Sequence, residues 1–364
     1  MSREYLYKSY YYNNTEEIEE FLKYYSNCTF KCMYLIMKNK SKVSFDPYNI
    51  FFEDFTFRVR IVRPEGCVYL CDKLYDNNAV NRICKSNYYQ KINDRSAILL
   101  MEELLEKGEI VIGMTVNDLL PFLTYYNPDI NIEEKMKSWY PGHPLLFIHI
   151  DKDHVYYVEE QHILNKNHVA FEGNPDIGVA DRKLIEDVFS LALVCFTIDV
   201  DENALEAFKI NLQPIIENME YYTKEYEVFD DAVDWYGRNA LKKIIQMCEG
   251  KDNSYVIGNL YDSNDSNLFR TTISKRRVLS KWVLKYLNNS ILSRLIDECI
   301  NKWELTRKII IDRKYMNINY LDMDVRKYFE DLLHIEDEIH YSLKEDSTLS
   351  RYLADEGMVK LNPN

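Results

Sequence analysis

The spacing of the apolar residues changes near residue 200, and this change constrains the fold more than any other feature. Before it, residues 55–62 alternate apolar and polar side chains, whereas residues 96–107 carry apolar side chains three and four apart. Alternation is typical of a half-buried strand, and spacing of three and four is typical of an amphipathic helix. Residues 1–200 are therefore predicted to form a mixed domain of helices and strands.

After residue 200 only the helical spacing remains. It predicts helices over residues 204–222, 232–248, 275–288, 290–311 and 325–342. A chain of 364 residues with 46% apolar residues is long and apolar enough for two domains. The predicted fold class is α+β, with a mixed domain over residues 1–200 and a helical C-terminal domain over residues 201–364.

The net charge of the chain restricts the classes of molecule that it can bind. The formal net charge is -14, and a surface this acidic disfavours extended contact with the phosphates of nucleic acid. The N-terminal residues lack the apolar segment of a signal peptide, and no run reaches the ~18 apolar residues of a membrane span. The chain is therefore expected to be cytoplasmic and off the membrane, with its eight cysteines mostly reduced.

Cys28 and His143 stand where a cysteine nucleophile and its base are found. Cys28 follows Asn27 and precedes an apolar run, which predicts a helix beginning at the cysteine. His143 follows a Pro-Gly turn and precedes an apolar strand over residues 145–150. A helix N-terminus favours the thiolate, and an imidazole at a rigid strand start can be held against it. The pair predicts a papain-type site.

A third residue is expected to orient the imidazole. The strand after His143 and the strand over residues 155–158 form a predicted hairpin, whose end returns with Glu159 and Glu160. A hairpin loop of even length would place Glu160 on the face of His143, and a loop of odd length would place Glu159 there. Residue spacing alone does not distinguish Glu159 from Glu160 as the residue that orients His143.

Five histidines between residues 143 and 168 raise the alternative of a metal site. His143 and His149 lie on one predicted strand, six residues and roughly 20 Å apart, too far to hold one ion. The cysteine pairs have three intervening residues rather than the two that are usual at zinc sites. No metal site is therefore predicted.

These segments resemble the butirosin-biosynthesis acyltransferase family and are similar to the amide-forming enzyme of closthioamide assembly. The resemblance covers roughly residues 20–200. It is carried by Asn-Cys at a helix start, by Gly-Glu-Ile-Val-Ile-Gly before Leu-Pro-Phe, and by Gly-His-Pro-Leu-Leu-Phe-Ile-His-Ile-Asp-Lys-Asp. It implies a papain-like fold, related to the C39 cysteine peptidases, followed by a mostly helical region.

The resemblance also implies roles for individual residues. Cys28 is the nucleophile, His143 is the base, and Glu159 occupies the place of the family's aspartate. That aspartate is usually followed by proline, whereas Glu160 follows here. Asn27 or the backbone N–H of Cys28 would bind the oxyanion.

The implied reaction moves an acyl group from the phosphopantetheine thioester of an acyl carrier protein to a small-molecule amine, forming an amide. It requires no cofactor of the enzyme's own. A basic run over residues 275–277, with Arg270, is the predicted docking patch for the carrier. A cysteine peptidase or amidase and a non-catalytic binding module are the alternatives, and a homodimer is left open.

Overall fold

The protein is described by a computed structural model. The structure describes residues 21, 28–62, 68–72, 78–90, 96–114, 117–131, 144–159, 163–172, 174–191, 194–249, 266–316 and 325–355.

Strands and helices are numbered separately along the chain. The described strands are β1 (Phe57–Val62), β2 (Val68–Asp72), β3 (Cys84–Gln90), β4 (Val111–Met114), β5 (Pro144–Ile150), β6 (His154–Val158), β7 (Ala170–Phe171), β8 (Asn174–Asp181), β9 (Val194–Val200), β10 (Tyr226–Val228) and β11 (Ala232–Tyr236). The described helices are α1 (Cys28–Lys40), α2 (Pro47–Ile50), α3 (Asn78–Ile83), α4 (Ala97–Glu106), α5 (Arg182–Leu191), α6 (Glu202–Ala207), α7 (Gln213–Tyr221), α8 (Gly237–Cys248), α9 (Ser266–Trp282), α10 (Ser290–Met316), α11 (Val325–Glu345) and α12 (Ser347–Asp355).

The chain forms two compact units. The first contains residues 1–19, 27–44 and 81–208, and the second contains residues 20–26, 45–80 and 209–364. Because residues 45–80 belong to the second unit, the units do not coincide with a division of the chain at residue 200. Each unit combines helices with an antiparallel sheet, which confirms the α+β class.

The first unit is built on a sheet whose described strands lie in the order β3-β9-β4-β5-β6-β8-β7. One face of this sheet packs against α4 and α5. Its core contains Leu145 and Phe147 of β5, Met101 of α4 and Phe189 of α5. Helix α1 contacts β5 and β9. Within the described chain α1 adds no residue to that core, so we infer that it covers the other face.

The second unit contains a smaller sheet in the order β10-β11-β1-β2. Helices α8, α9, α10 and α11 pack against one another, and α8 and α9 also contact the sheet. Trp282 and Trp303 are fully buried in this unit. Its core is therefore formed by long helices that pack against a sheet.

The prediction that only helices follow residue 200 is wrong for β10 and β11. The helix predicted over residues 232–248 begins as strand β11 and becomes helical at Gly237, while the helix predicted over 204–222 is divided into α6 and α7. Strand β11 pairs with β1, where Asp234 accepts hydrogen bonds from Arg58 and Arg60 at 2.7 Å each. This pairing between distant segments outweighs the local helical preference.

Other predicted elements of the first unit are confirmed. Helix α4 and the β5–β6 hairpin form where the spacing predicted them. Gly108 ends the α4 turn at a φ of 83°, in the left-handed region that glycine adopts easily. In the described parts of the chain, no helix is both long and apolar enough to cross a lipid bilayer.

Candidate functional site

Cys28 is the first residue of α1, as predicted, and its thiol is half-buried and is not part of a disulfide. Cys32, one turn further along, is only 8% exposed. The first N–H groups of a helix have no partner within it, so they can stabilise negative charge that develops near a helix start during a reaction. The difference in exposure supports Cys28 over Cys32 as the reactive thiol.

The other end of α1 is fixed to one end of the sheet. Lys40 forms an ion pair with Glu109 and donates a hydrogen bond of 3.2 Å to the carbonyl of Ile198 in β9. Just beyond α1, the Glu202 carboxylate accepts hydrogen bonds from the hydroxyl of Ser41 at 3.1 Å and the backbone N–H of Lys42 at 3.0 Å. The C-terminus of α1 is therefore held where β9 finishes.

Strand β5 begins at the opposite end of the same sheet. Its first residue, Pro144, pairs with Met114, which also pairs with Val194, the first residue of β9. Helix α1 has 13 residues, about 20 Å, and β5 has 7 residues, also about 20 Å. Since α1 contacts both strands, we infer that Cys28 lies toward the end where β5 begins.

The hairpin register distinguishes the two candidate carboxylates. Near the loop His149 pairs with Tyr156, but after an irregularity Phe147 pairs with Tyr157 and Leu146 with Val158. Continued by one pair, this register sets Glu159 opposite Leu145. A bulge of one residue thus reverses the parity that the loop length implies, so odd-numbered positions at the start of β5 share a face with Glu159.

Glu159 directly follows β6, is 7% exposed and lies near Tyr157, a buried tyrosine of that strand. Burial raises the pKa of Tyr157, and the charge of Glu159 raises it further. The Tyr157 hydroxyl lies 3.0 Å from Nδ1 of His168, and the Phe122 ring stacks on Tyr157 with centroids 4.5 Å apart. No sequence pattern predicts this cluster, because its members are brought together only by the packing of strands and loops.

Of the predicted site residues, the structure describes Cys28 and Glu159. We infer that both lie toward the same end of the sheet. Glu159 faces the side covered by α4 and α5, whereas α1 is inferred to cover the other side. The Cys28 thiol and the Glu159 carboxylate could therefore reach the same group only if that group lies at the ends of the strands. Asn27, His143 and Glu160 lie outside the described residues.

The described histidines do not converge on one point. The His149 ring contacts the Tyr156 ring at 5.3 Å, His154 lies 3.5 Å from Asp151 in the hairpin turn, and His168 pairs with Tyr157. In the part of the chain that the structure describes, no group of three His, Cys, Asp or Glu side chains is arranged to hold a metal ion. His143 and His162 lie outside that part.

The basic run over residues 275–277 is not the surface patch that was predicted. Lys275 and Arg276 are buried, and Arg277 is half-exposed in an ion pair with Glu304. The buried positions of α9 include Thr272 and Leu279, which are spaced with Lys275 and Arg276 on one helical face. Because that face packs into the core, Lys275 and Arg276 cannot dock a carrier protein.

Comparison with protein-family models finds no match for this chain, and comparison with curated proteins finds none either. The resemblance to acyltransferases therefore depends on the residues that carry it, and the activity is a proposal.

Proposed function

We propose that the chain is a cysteine-dependent acyltransferase on a papain-like scaffold, with Cys28 as nucleophile and His143 as base. The observation that carries the proposal is that Cys28 is the half-buried first residue of α1, a position that we infer to lie toward the end of the sheet where β5 begins. His143 is the residue that directly precedes β5 in the sequence. Thiolate catalysis needs a base within reach of the thiol, and in this proposal Cys28 and His143 meet at the end of the sheet where β5 begins.

The proposed reaction has two steps. In the first, the Cys28 thiolate attacks the thioester carbonyl of an acyl group on a carrier protein, and the phosphopantetheine thiolate leaves. In the second, an amine attacks the acyl-enzyme, His143 takes the amine proton, and the amide leaves as the Cys28 thiolate is restored. The N–H of Cys28, or Asn27, would bind the oxyanion of each tetrahedral intermediate.

Glu159 is proposed to orient the base. A carboxylate that accepts a hydrogen bond from imidazole fixes its tautomer and stabilises the imidazolium. The register that sets Glu159 opposite Leu145, near the start of β5, supports Glu159 rather than Glu160. Burial of Glu159 also restricts the rotamers that its side chain can adopt.

Intact mass after incubation with an acyl thioester tests the proposal. The expected result is a covalent acyl adduct on the wild-type chain and none on Cys28→Ala. Cys32→Ala is the matched control, since Cys32 lies in the same helix but is buried, and it should still form the adduct. An adduct that persists in Cys28→Ala would refute the assignment of the nucleophile, and a wild-type chain that is never acylated would favour a binding module.

Addition of an amine to the acylated chain separates transfer from hydrolysis. Amide is the product expected for an acyltransferase, because the amine must outcompete water for the acyl-enzyme. Free acid as the sole product, across carrier-bound and small thioesters, would identify a hydrolase instead. Chromatography with mass detection distinguishes the two products.

Replacing Glu159 with glutamine tests the orienting role. We expect Glu159→Gln to slow acylation by at least about tenfold, since glutamine would neither fix the histidine tautomer nor stabilise the imidazolium. Glu106→Gln, which alters an exposed carboxylate on α4, should leave the rate unchanged. Equal rates for wild type and Glu159→Gln would remove Glu159 from the mechanism while leaving Cys28 in place.

A further inference from the structure

Strand β3 lies at one edge of the larger sheet. Its seven residues pair with β9, and in the described part of the chain no other strand pairs with it. Natural proteins usually protect such an edge with a short strand, a proline or several charges. The edge strands β7 and β10 are short, with two and three residues. Strand β3 is longer, contains no proline and has one charged side chain, that of Lys85, so its edge is open to another strand.

The hydrogen bonds to β9 determine which backbone groups of β3 reach the open edge. Just before β3, the carbonyl of Ile83 accepts a hydrogen bond of 2.8 Å from the N–H of Asp201. These two residues continue the β3–β9 register, so the odd-numbered residues of β3 exchange hydrogen bonds with β9. The backbone N–H and C=O groups of Ser86 and Tyr88 therefore point away from β9. Among the described residues these groups have no hydrogen-bond partner.

Tyr88 also presents an aromatic surface at this edge. Its ring lies against Phe196 of β9, with centroids 5.3 Å apart, yet the residue is 68% exposed. Tyr89 points to the opposite face, where it packs against the core that contains α4 and α5. An additional strand at this edge would both pair the free backbone groups and cover the Tyr88 ring.

The residues of β3 are complementary to those of a second copy in antiparallel orientation. A two-fold axis at Asn87 would pair all seven residues of one strand with the seven of the other. Lys85 would face Tyr89 of the second copy and Ser86 would face its Tyr88, so no two charged side chains would be opposite each other. The even-numbered residues would exchange about eight hydrogen bonds. The two Tyr88 rings would be diagonal neighbours, within reach of each other.

Strand β10 is not complementary to a second copy in this way. The N–H of Phe229 donates to the carbonyl of Ala232 at 2.8 Å, so the outward backbone groups of β10 belong to Tyr226 and Val228. An antiparallel copy that pairs these residues would place the carboxylate of Glu227 directly opposite that of its copy. Like charges directly opposite each other destabilise a strand pair. Of these two edges, charge therefore favours β3.

We propose that the chain forms a two-fold symmetric dimer in which the β3 strands of two copies form an antiparallel pair about Asn87. The two larger sheets would then become one continuous sheet across the axis. The interface uses the same surface on both copies, which closes the assembly at two chains. The dimer does not depend on the proposed acyl transfer, because Cys28 and Glu159 lie outside β3.

Sedimentation velocity across about 1–100 µM protein tests the dimer. The unaltered chain is expected to sediment with twice the mass of one chain. Ser86→Pro removes an outward N–H that the β3–β9 ladder does not use, and Tyr88→Lys places like charges near each other across the axis. Each variant should weaken dimerisation at least about tenfold, while circular dichroism verifies that it folds. Val228→Pro, at an outward position of β10, and Tyr341→Lys, at a tyrosine 50% exposed on α11, are the matched controls and should remain dimeric.

A disulfide across the axis locates the register. Asn87→Cys would place two thiols opposite each other at a non-hydrogen-bonded pair, with Cα atoms about 4.5 Å apart, near enough for a disulfide. Lys85→Cys, two residues away on the same face, would hold its thiols roughly 13 Å apart and is the control. Oxidised glutathione should therefore link Asn87→Cys chains in pairs and leave Lys85→Cys chains single.

Three results would overturn the proposal. The first is an unaltered chain that is monomeric up to about 100 µM, which would leave the β3 edge to an extended segment of another protein. The second is a Ser86→Pro chain that folds and dimerises as the unaltered chain does. The third is cross-linking of Lys85→Cys rather than Asn87→Cys, which would exclude a two-fold axis at Asn87.

Discussion

Replacing Arg276 with methionine is expected to destabilise the second unit by roughly 3–5 kcal/mol, because it leaves a buried carboxylate without its cation. Arg276 is 1% exposed and forms an ion pair with Glu336. The same Oε1 of Glu336 accepts hydrogen bonds from Trp303 Nε1 at 2.6 Å and from Cys299 Sγ at 3.2 Å. Denaturant titration measures the free energy of unfolding.

Arg276, the cation of this ion pair, also has hydrogen-bond and ring partners besides Glu336. Arg276 donates to the carbonyl of Thr272 at 3.1 Å, and its guanidinium lies 5.3 Å from the Trp303 ring and 5.5 Å from the Phe57 ring. Removing either charged side chain leaves the rest of this buried network beside a charge that nothing compensates. The double variant Arg276→Met, Glu336→Met removes both charges and should recover most of the lost stability.

The adjacent arginine supplies a matched control. Arg277 pairs with Glu304 across the same two helices, α9 and α10, but their side chains are 32% and 44% exposed. Arg277→Met should cost at most about 1 kcal/mol, as is usual for exposed pairs. If Arg276→Met cost no more than Arg277→Met, the buried pair would not contribute to stability as described.

Acid is expected to weaken the second unit through His340, which is 2% exposed. Its ring stacks on Tyr222 with centroids 4.4 Å apart, and among the described residues neither ring nitrogen has a hydrogen-bond partner. Burial, with smaller contributions from the charges of Lys344 and Arg238, lowers the pKa of His340 from 6.5 to about 4. The folded protein therefore holds this histidine neutral.

The pH dependence follows from that difference. The unfolded chain binds a proton at His340 below about pH 6.5, whereas the folded chain does so only below about 4. The contribution of neutral His340 to stability is thus present above pH 6.5 and is lost as pH falls toward 4, about 3 kcal/mol in all. Thermal unfolding measured across this interval gives the loss directly.

His340→Phe keeps an aromatic ring against Tyr222 and removes the titrating group. This variant should lose less stability than wild type between pH 6.5 and 4, by about 3 kcal/mol. His334→Phe is the control on the same helix, since the His334 side chain is 81% exposed, and it should follow wild type. Parallel loss of stability in wild type and His340→Phe would contradict the role of His340.

The spacing of apolar residues was sufficient to predict the structure where interactions between neighbours in sequence determine it. The helix that begins at Cys28, the β5–β6 hairpin and the glycine that ends α4 all follow from residues within a few positions. Spacing failed at β11, where the hydrogen bonds of Arg58 and Arg60 to Asp234 come from residues more than 170 positions away. It also failed for Arg276, whose charge suggested a surface position.

The α+β class, the helix that begins at Cys28 and the two carboxylates after the hairpin could be predicted from the amino-acid pattern alone. The tertiary structure was needed to show that the odd positions at the start of β5 share a face with Glu159, because a single bulge reverses strand parity. It also decided that residues 45–80 belong with the C-terminal helices and that Arg276 is buried. Each of these depends on contacts between distant segments, which local periodicity does not encode.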